Sequence, residues 1–412
     1  MNHIYTGLDI GNDQIKIVVA EALNQEFHVL ASTAIKSAGI KKNTIYDHKK
    51  LKEQLHKAFA KTEEKLGMKI REVILCVPAN TASMTMETGL VNIRSGTVRG
   101  SDIMEVLKDA AYGTYENTRE LVTCLPISFT VDEEASVADP KDESGEKLFV
   151  KAVVATSPKN EIYPYIDLVR SLGVNITDIV YNTQADYYCA TTKELDRKMG
   201  CIINIGGDMT TIAIFNKGIM IKNSFLPVGS SSVDKDIAYI YKLDLKTART
   251  LKETFALSVG RYADVNDTKE VTTQEGKKVM IHQPEISEVI ESRLKEILKL
   301  AKNEINHLTK REISYIIVVG GISELAGFNY IVDDILSHNA SCLNMQELGA
   351  RHNKFTSALG SCKYFHRKCM LVGKDISMFQ EEEQESFLAP KKKNNVNDTM
   401  INKFFYNFFD TN

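Results

Sequence analysis

One pattern occurs twice in this chain: a short apolar strand, a glycine-bearing turn and a returning strand. The first copy reads Gly7-Leu8-Asp9-Ile10-Gly11-Asn12-Asp13-Gln14-Ile15-Lys16. The second reads Ile203-Asn204-Ile205-Gly206-Gly207-Asp208-Met209-Thr210-Thr211-Ile212. A unit repeated at that separation implies a duplicated fold, with one lobe built around each copy. The turns carry a chemical meaning as well. Phosphate groups need backbone N–H donors at close range, and glycine permits both that approach and the positive φ of a tight turn. Asn12, Thr210 and Thr211 add side-chain donors, and Asp9, at the end of the first strand, is placed to hold Mg²⁺ through water. Taken singly, each copy is an ordinary β-hairpin signal.

A third element follows. The apolar run 315–319 ends at Gly320-Gly321 and leads into a helix starting near Gly327. A strand, paired glycines and a helix start can close over an adenosine and its phosphates. Between these landmarks lie recognisable elements. Asp47 caps a helix whose Leu51, Leu55, Phe59 and Leu66 share a face, and Gly67 ends it. Residues 80–156 have their own rhythm of a capped helix (101–111) and strands (121–131, 148–155) around a polar loop, which reads as a small inserted α+β domain. Residues 234–310 read as helical and charged, and 285–308 place Ile286, Val289, Ile290, Leu294, Ile297, Ala301, Ile305 and Leu308 on one stripe.

At 412 residues the chain is long enough for two lobes. Its net charge of -3 gives no whole-chain electrostatic basis for nucleic-acid binding. The 7 cysteines include no CxxC pair and read as inert thiols in a reducing compartment. The first residues lead directly into a strand rather than a signal peptide, and no apolar run reaches the roughly 18 residues of a membrane span.

The order and spacing of the three glycine elements are those of the superfamily of actin, sugar kinases and heat-shock chaperones. The expected fold is therefore α/β, a two-lobed actin-like (ribonuclease H-like, duplicated) ATPase with an inserted small α+β subdomain. Within it the chain resembles the FtsA family. Gly7-Leu8-Asp9-Ile10-Gly11 is similar to that family's opening hairpin, and Ser37-Ala38-Gly39-Ile40-Lys41-Lys42-Asn43-Thr44-Ile45-Tyr46-Asp47 to its "GI(K/R)KG-x-I-x-D" stretch. Leu226-Pro227-Val228-Gly229 with Asp236-Ile237-Ala238 resembles "PVGG…DIA", residues 248–252 stand where the family has "AE-x-x-K", and residues 290–297 look like "IEPR-x-x-E-I". Gly349-Ala350-Arg351 and Ala358-Leu359-Gly360 match the closing "GAR…ALG".

The resemblance implies a division of the chain. Residues 1–79 and 157–198 form the first lobe and 80–156 an insertion. Residues 199–235 and 309–373 form the second lobe, with 236–308 its subdomain. Residues 374–396 would be a flexible linker and 397–412 an amphipathic membrane-targeting helix. It also implies ATP with Mg²⁺ in the cleft, held by Asp9, Gly11, Asn12, Asp13, Gln14, Gly206, Gly207, Asp208, Met209, Thr210, Gly229, Arg249, Lys252, Gly320, Gly321 and Ser323. The chain departs from the family's "DIGGGTTD" in its second hairpin: Asn204, Asp208, Met209 and Thr211 replace Asp, Gly, Thr and Asp. Ile322 stands where a glycine is common, and Arg249 replaces a Glu that would face the ribose or adenine. Backbone donors survive these changes, so binding is expected and hydrolysis weak at most, with no catalytic base identified.

The last residues carry a second expectation. On a wheel of about 100° per residue, Met400, Ile401, Phe404, Phe405 and Phe408 form an apolar face with Phe409 at its edge. At roughly 25 cal/mol per Å² such a face supports reversible membrane association. Lys391, Lys392 and Lys393 add attraction to anionic lipid. The resemblance places the protein at the division site, on the cytoplasmic face of the cell membrane. Its implied partners are the C-terminal tail of FtsZ through Arg293 and Glu296, other copies of itself in a head-to-tail polymer, and further division proteins. Alternatives on the same core are a PilM-like pilus or secretion protein, which lacks the aromatic tail, and a sugar or acetate kinase, for which no acidic base or substrate pocket is legible.

Overall fold

The computed structural model describes residues 3–23, 26–132 and 134–380. Residues up to Met378 form one compact unit. Of a second unit, 379–412, only Phe379 and Gln380 are described. Met400, Ile401, Phe404, Phe405, Phe408 and Phe409 therefore lie outside the described residues, as does most of the expected linker.

The first lobe opens with a meander of β1 (His3–Ile10), β2 (Gln14–Leu23) and β3 (Glu26–Lys36). A two-residue hairpin, β4 (Ile40–Lys41) and β5 (Thr44–Ile45), leads to α1 (His48–Leu66). The Asp47 carboxylate accepts the Lys50 N–H at 3.0 Å and starts that helix. Gly67, at φ 75°, ends it. β6 (Glu72–Val77) then returns parallel to β1.

The insertion comprises β7 (Ser83–Asn92), α2 (Gly100–Ala111), β8 (Arg119–Val131) and β9 (Lys147–Pro158), a three-stranded sheet in the order β7-β9-β8. Val106 and Ala110 of α2 close over Phe129, Leu148 and Val150 to make its core. β7 was not expected from the sequence. Its alternation of Thr, Met and Glu belongs to an edge strand that buries little, so the apolar signal is weak. The lobe finishes with α3 (Lys159–Arg170), β10 (Asn175–Tyr181) and α4 (Asn182–Ala190).

The second lobe repeats the theme. β11 (Met199–Ile205), β12 (Thr210–Asn216) and β13 (Ile219–Leu226) form the meander. α5 (Ser230–Tyr241) and α6 (Leu245–Thr254) follow, then a hairpin of β14 (Thr268–Thr272) and β15 (Lys278–His282), then α7 (Gln283–Leu308). This hairpin corrects the helical reading of 234–310: its strands are short, and Lys269 on the inner face with the exposed Met280 on the outer one blurs the period of two. β16 (Tyr315–Val319), α8 (Phe328–Ile335), β17 (Ala340–Cys342) and α9 (Thr356–Leu371) complete the chain.

The two main sheets run β10-β6-β1-β2-β3 and β13-β12-β11-β16-β17. In each, an antiparallel meander is extended by two parallel strands on the far side of its first strand. The duplication seen in two hairpins thus extends to both whole sheets. In the second lobe Ile203, Ile205, Ile212 and Ile214 pack with Ile290, Leu294 and Ile297 of α7, the stripe legible in the sequence.

One expected boundary is corrected. α9 had been grouped with the second lobe, but it packs on the first. Ala358 and Leu359 share a core with Val18 and Ala20 of β2. Two glycines explain the fit. A Cβ at Gly7 would lie 1.9 Å from the Ala358 carbonyl oxygen, and one at Gly360 would lie 1.8 Å from that of Ala185. Only bare backbone lets α9 sit between β1 and α4. The chain then stays on β1 beyond Lys374, the expected linker start: the Met378 N–H donates to the Ile4 carbonyl at 2.9 Å.

Candidate functional site

The two lobes face each other across a cleft of about 590 Å³, lined by both hairpin turns and by the segment after β16. The turns share one geometry. The Gly11 N–H donates to the Gln14 carbonyl at 3.1 Å, and the Gly206 N–H to the Met209 carbonyl at 2.9 Å. Gly11, Gly206 and Gly207 are not among the positive-φ residues, which corrects the expectation that these turns need left-handed glycine. Their glycines serve close approach instead: a Cβ at Gly207 would come within 2.8 Å of the Asp13 Cβ, so the two turns touch.

Register makes the correspondence residue by residue. Asp9 pairs with Lys16 across the first hairpin, and Asn204 with Thr211 across the second. Lys16 ion-pairs with Asp9 at 2.9 Å. This lysine was missed in the sequence, although a single charge between the buried Ile15 and Ile17 marks the strand face that meets the cleft. In the second hairpin both equivalent positions are neutral. The Thr211 hydroxyl is buried without a partner, an unsatisfied donor in the cleft wall.

Arg249, on α6, spans the cleft. Its Nη1 donates to Asp13 Oδ1 at 2.8 Å and its Nε to Asp234 Oδ2 at 3.0 Å. Lys252, one turn on, meets the same Asp234 at 2.5 Å. Burial works against the charge on Arg249, but Asp13 and Asp234 more than restore it, and its pKa is raised. The arginine that stands in place of a ribose-facing Glu is thus a clasp between the first hairpin and the second lobe.

Of the residues expected to hold nucleotide, Asp9, Gly11, Asn12, Asp13, Gln14, Gly206, Gly207, Met209, Arg249, Lys252, Gly320 and Gly321 line this cleft. Asp208, Thr210, Gly229 and Ser323 are not among its lining residues. Asp208 turns away and accepts the Ser231 hydroxyl at 2.8 Å, beside the N-terminus of α5, where a negative charge is favoured. Thr210 is fully buried and donates to the Val228 carbonyl. Gly229 packs on the second turn: a Cβ there would lie 2.5 Å from the Gly206 and Gly207 carbonyl oxygens. Ser323 closes the Gly320 turn by donating to that carbonyl at 2.8 Å. Gly320 itself has φ 103°, and a Cβ on it would meet the Ile205 carbonyl oxygen at 2.4 Å.

Behind Asn204 and Ser357, which line the cleft, sits a carboxylate that sequence reasoning did not single out. Asp186, on α4, is fully buried. It accepts Asn204 Nδ2 and Ser357 Oγ, each at 2.6 Å. Burial pushes its pKa up to about 7, against the pull of those two donors. The cysteines, by contrast, carry no chemistry here. All are free, and burial pushes Cys124 to about 11 and Cys189 to about 12.

The residues present fit a nucleoside triphosphate. Both hairpin turns line the cleft, Lys16 stands in its wall beside Asp9, and Thr211 offers an unused hydroxyl. Among the described residues no cluster of three His, Cys, Asp or Glu side chains could hold a metal ion. Asp9 is the carboxylate that would meet a phosphate-bound Mg²⁺ through water.

A second, shallower groove lies between α5 and α7, lined by Asp236, Tyr239, Ile240, Glu288, Arg293 and Glu296 among others. Arg293, expected to contact the tail of FtsZ, is already engaged. It grips Asp236 through Nε at 2.6 Å and Nη2 at 3.0 Å, and meets Glu296 at 2.5 Å. Tyr239 and Ile240 are exposed beside it.

These features define a class: a two-lobed actin-like ATPase fold with an inserted domain. Solved structures agree. The chain resembles the PilM–PilN type IV pilus biogenesis complex (TM-score 0.57, 16% identity, covering 88% of this chain and 98% of that one). It also resembles MreB5 of Spiroplasma citri bound to ADP (TM-score 0.54, 14% identity, 90% and 98%). Family models narrow this. The model of cell division protein FtsA matches residues 201–360, and that of the SHS2 domain inserted in FtsA matches residues 80–156. The FtsA of Bacillus subtilis (strain 168) is 25% identical over 387 residues, 93% of this chain and 88% of the relative. That of Streptococcus pneumoniae serotype 2 is 25% identical over 364 residues, 87% and 79%. The chain belongs to the FtsA family of cell division proteins.

Proposed function

We propose that this chain binds Mg·ATP between its lobes, assembles head to tail with its own copies, and tethers the FtsZ division ring to the cytoplasmic face of the membrane, where it also recruits other division proteins. The observation that carries the nucleotide part is the pair of identical turns meeting at the cleft, with Lys16 beside one and the unpartnered Thr211 hydroxyl beside the other. Relatives of the same fold support it, since MreB5 of Spiroplasma citri is described bound to ADP and to AMPPNP. Bound nucleotide contacts both lobes and so favours one lobe arrangement, which is what head-to-tail assembly needs. The inserted FtsA-type domain favours this reading over a PilM-like one.

Membrane association rests on the apolar face of residues 400–409. Many weak tails on one filament add their affinities, so polymers bind where single molecules do not. Among the described residues no helix is long and apolar enough to cross a membrane. For FtsZ, the groove between α5 and α7 is the candidate surface. Its single arginine is neutralised by Asp236 and Glu296, so apolar and basic side chains of a tail fit it better than acidic ones.

Co-sedimentation with anionic lipid vesicles, with and without ATP, tests the whole reading on the full chain and on a chain ending at Lys393. Pelleting of the full chain alone, stronger with ATP, is the expected result. Equal behaviour of the two chains would move the pilus-type reading ahead.

A further inference from the structure

We infer that Asp186 is a positioning residue of the nucleotide cleft, which fixes the carboxamide of Asn204 so that its oxygen, not its nitrogen, faces the bound nucleotide. The inference rests on the reading of the cleft as a nucleotide site and deepens it.

The argument starts from the equivalence of the two hairpins. Asp9 and Asn204 occupy the same position, last but one in β1 and β11. At Asp9 a carboxylate oxygen is available to the cleft and its charge is balanced by Lys16 at 2.9 Å. At Asn204 an amide stands instead, and an amide has two faces of opposite character: an acceptor and a pair of donors. Left alone it can turn either way. Asp186 removes the choice. In its ionised form, above about pH 7, the carboxylate only accepts, so the Asn204 group that meets it at 2.6 Å is Nδ2. The Asn204 oxygen then points the other way, toward Gly320, where an added Cβ would come within 3.0 Å of it.

The carboxylate is itself held. Ser357, at the start of α9, donates to its second oxygen at 2.6 Å, so both oxygens are occupied and the side chain has no freedom to release Asn204. Asp186 is fully buried, and no cation contacts it within hydrogen-bond distance among the described residues. A buried carboxylate without a cation is destabilising. Its retention is intelligible if it serves the site. Asp186 and Ser357 lie on helices of the first lobe, and Asn204 on a strand of the second. The chain Ser357–Asp186–Asn204 therefore joins the lobes behind the cleft, and it fixes an acceptor at the hairpin position equivalent to Asp9. Acceptors at the equivalent positions of both hairpins suit the water shell of a phosphate-bound cation, whereas an amide donor would suit bare phosphate.

The test is a cycle of Asp186→Asn, Asn204→Asp and the double variant, with Mg·ATP binding measured by calorimetry and unfolding temperature recorded for each. Asn204→Asp alone sets two carboxylates against each other and should weaken binding about tenfold. Asp186→Asn alone frees the amide to turn and should weaken it about threefold. The double variant exchanges the partners, restores an oxygen to the cleft, and should bind within about twofold of the wild type. Additive losses in the double variant would overturn the inference. So would wild-type affinity in Asn204→Asp. If the unfolding temperatures couple but the affinities do not, the chain is a structural seam only, and the inference fails while the nucleotide reading stands. If the wild type binds no nucleotide, both fall.

Discussion

Asp186 shows how one side chain can oppose stability while serving a site. Its folded pKa is about 7, above the unfolded value of 3.8, so the folded state holds a proton that the unfolded state has released between those limits. Its contribution to stability should fall as pH rises from about 4 to 7 and level off above. Asp9 adds to the rise and Lys16 opposes it, both from the first hairpin. Asp186→Asn removes this titration. At about 1.4 kcal/mol per pH unit over which the proton is held, the variant should exceed the wild type by roughly 2–4 kcal/mol near pH 8 and lose that advantage near pH 4. Urea unfolding across that range reads it directly, and a wild type as stable at pH 8 as at pH 5 would contradict it. Lys16 offers a second residue-scale prediction. Lys16→Met should weaken Mg·ATP binding by about tenfold or more, the loss of a charge-assisted hydrogen bond, and equilibrium dialysis measures it. Gly320→Ala should fail differently. At φ 103°, with the Ile205 carbonyl oxygen in the way, it should lose about 3 kcal/mol of folding stability whether or not nucleotide is present.

At the scale of elements, the close seating of α9 on β1 and α4 depends on two missing side chains. Gly7→Ala and Gly360→Ala each drive a carbon into a carbonyl oxygen under 2 Å away. Each should destabilise the protein by about 2–3 kcal/mol, since neither neighbour is a flexible side chain that can yield. Thermal unfolding checks this, and a change below about 0.5 kcal/mol would mean that α9 sits more loosely. The clasp between α6 and the first hairpin behaves otherwise. Arg249 and Asp13 are partly exposed, so Arg249→Gln should cost only about 1 kcal/mol. Its larger expected effect is on cleft opening, read as faster proteolysis of the nucleotide-free protein at low salt.

For the whole molecule, the duplicated sheets would make a bound nucleotide a bridge between two halves that α9, the Arg249 clasp and the hydrogen bonds behind the cleft also join. Mg·ATP at about 100 times its dissociation constant should stabilise the fold by about 2.7 kcal/mol, and calorimetry should show the gain disappear in Lys16→Met. Unchanged unfolding at that concentration would count against the cleft as a nucleotide site.

The sequence by itself determined the duplication, because a tight glycine turn between two short apolar strands is built from few residue types and repeats visibly. It also determined the long helices, α1 and α7, whose apolar stripes follow from a period of 3.6, and the place of the insertion. Edge strands such as β7 and the β14–β15 hairpin stayed hidden, since exposed or charged positions blur a period of two. Most of the cleft was legible as well, yet Asp208, Thr210, Gly229 and Ser323 support it from outside. Side-chain direction depends on strand register and helix starts, which one-dimensional spacing does not carry. Only the tertiary structure decided that α9 crosses back to the first lobe, that Arg249 reaches Asp13, and that Asp186 stands behind Asn204. Each of these is a contact between residues far apart in the chain, and such contacts exist only once packing has chosen which backbones approach.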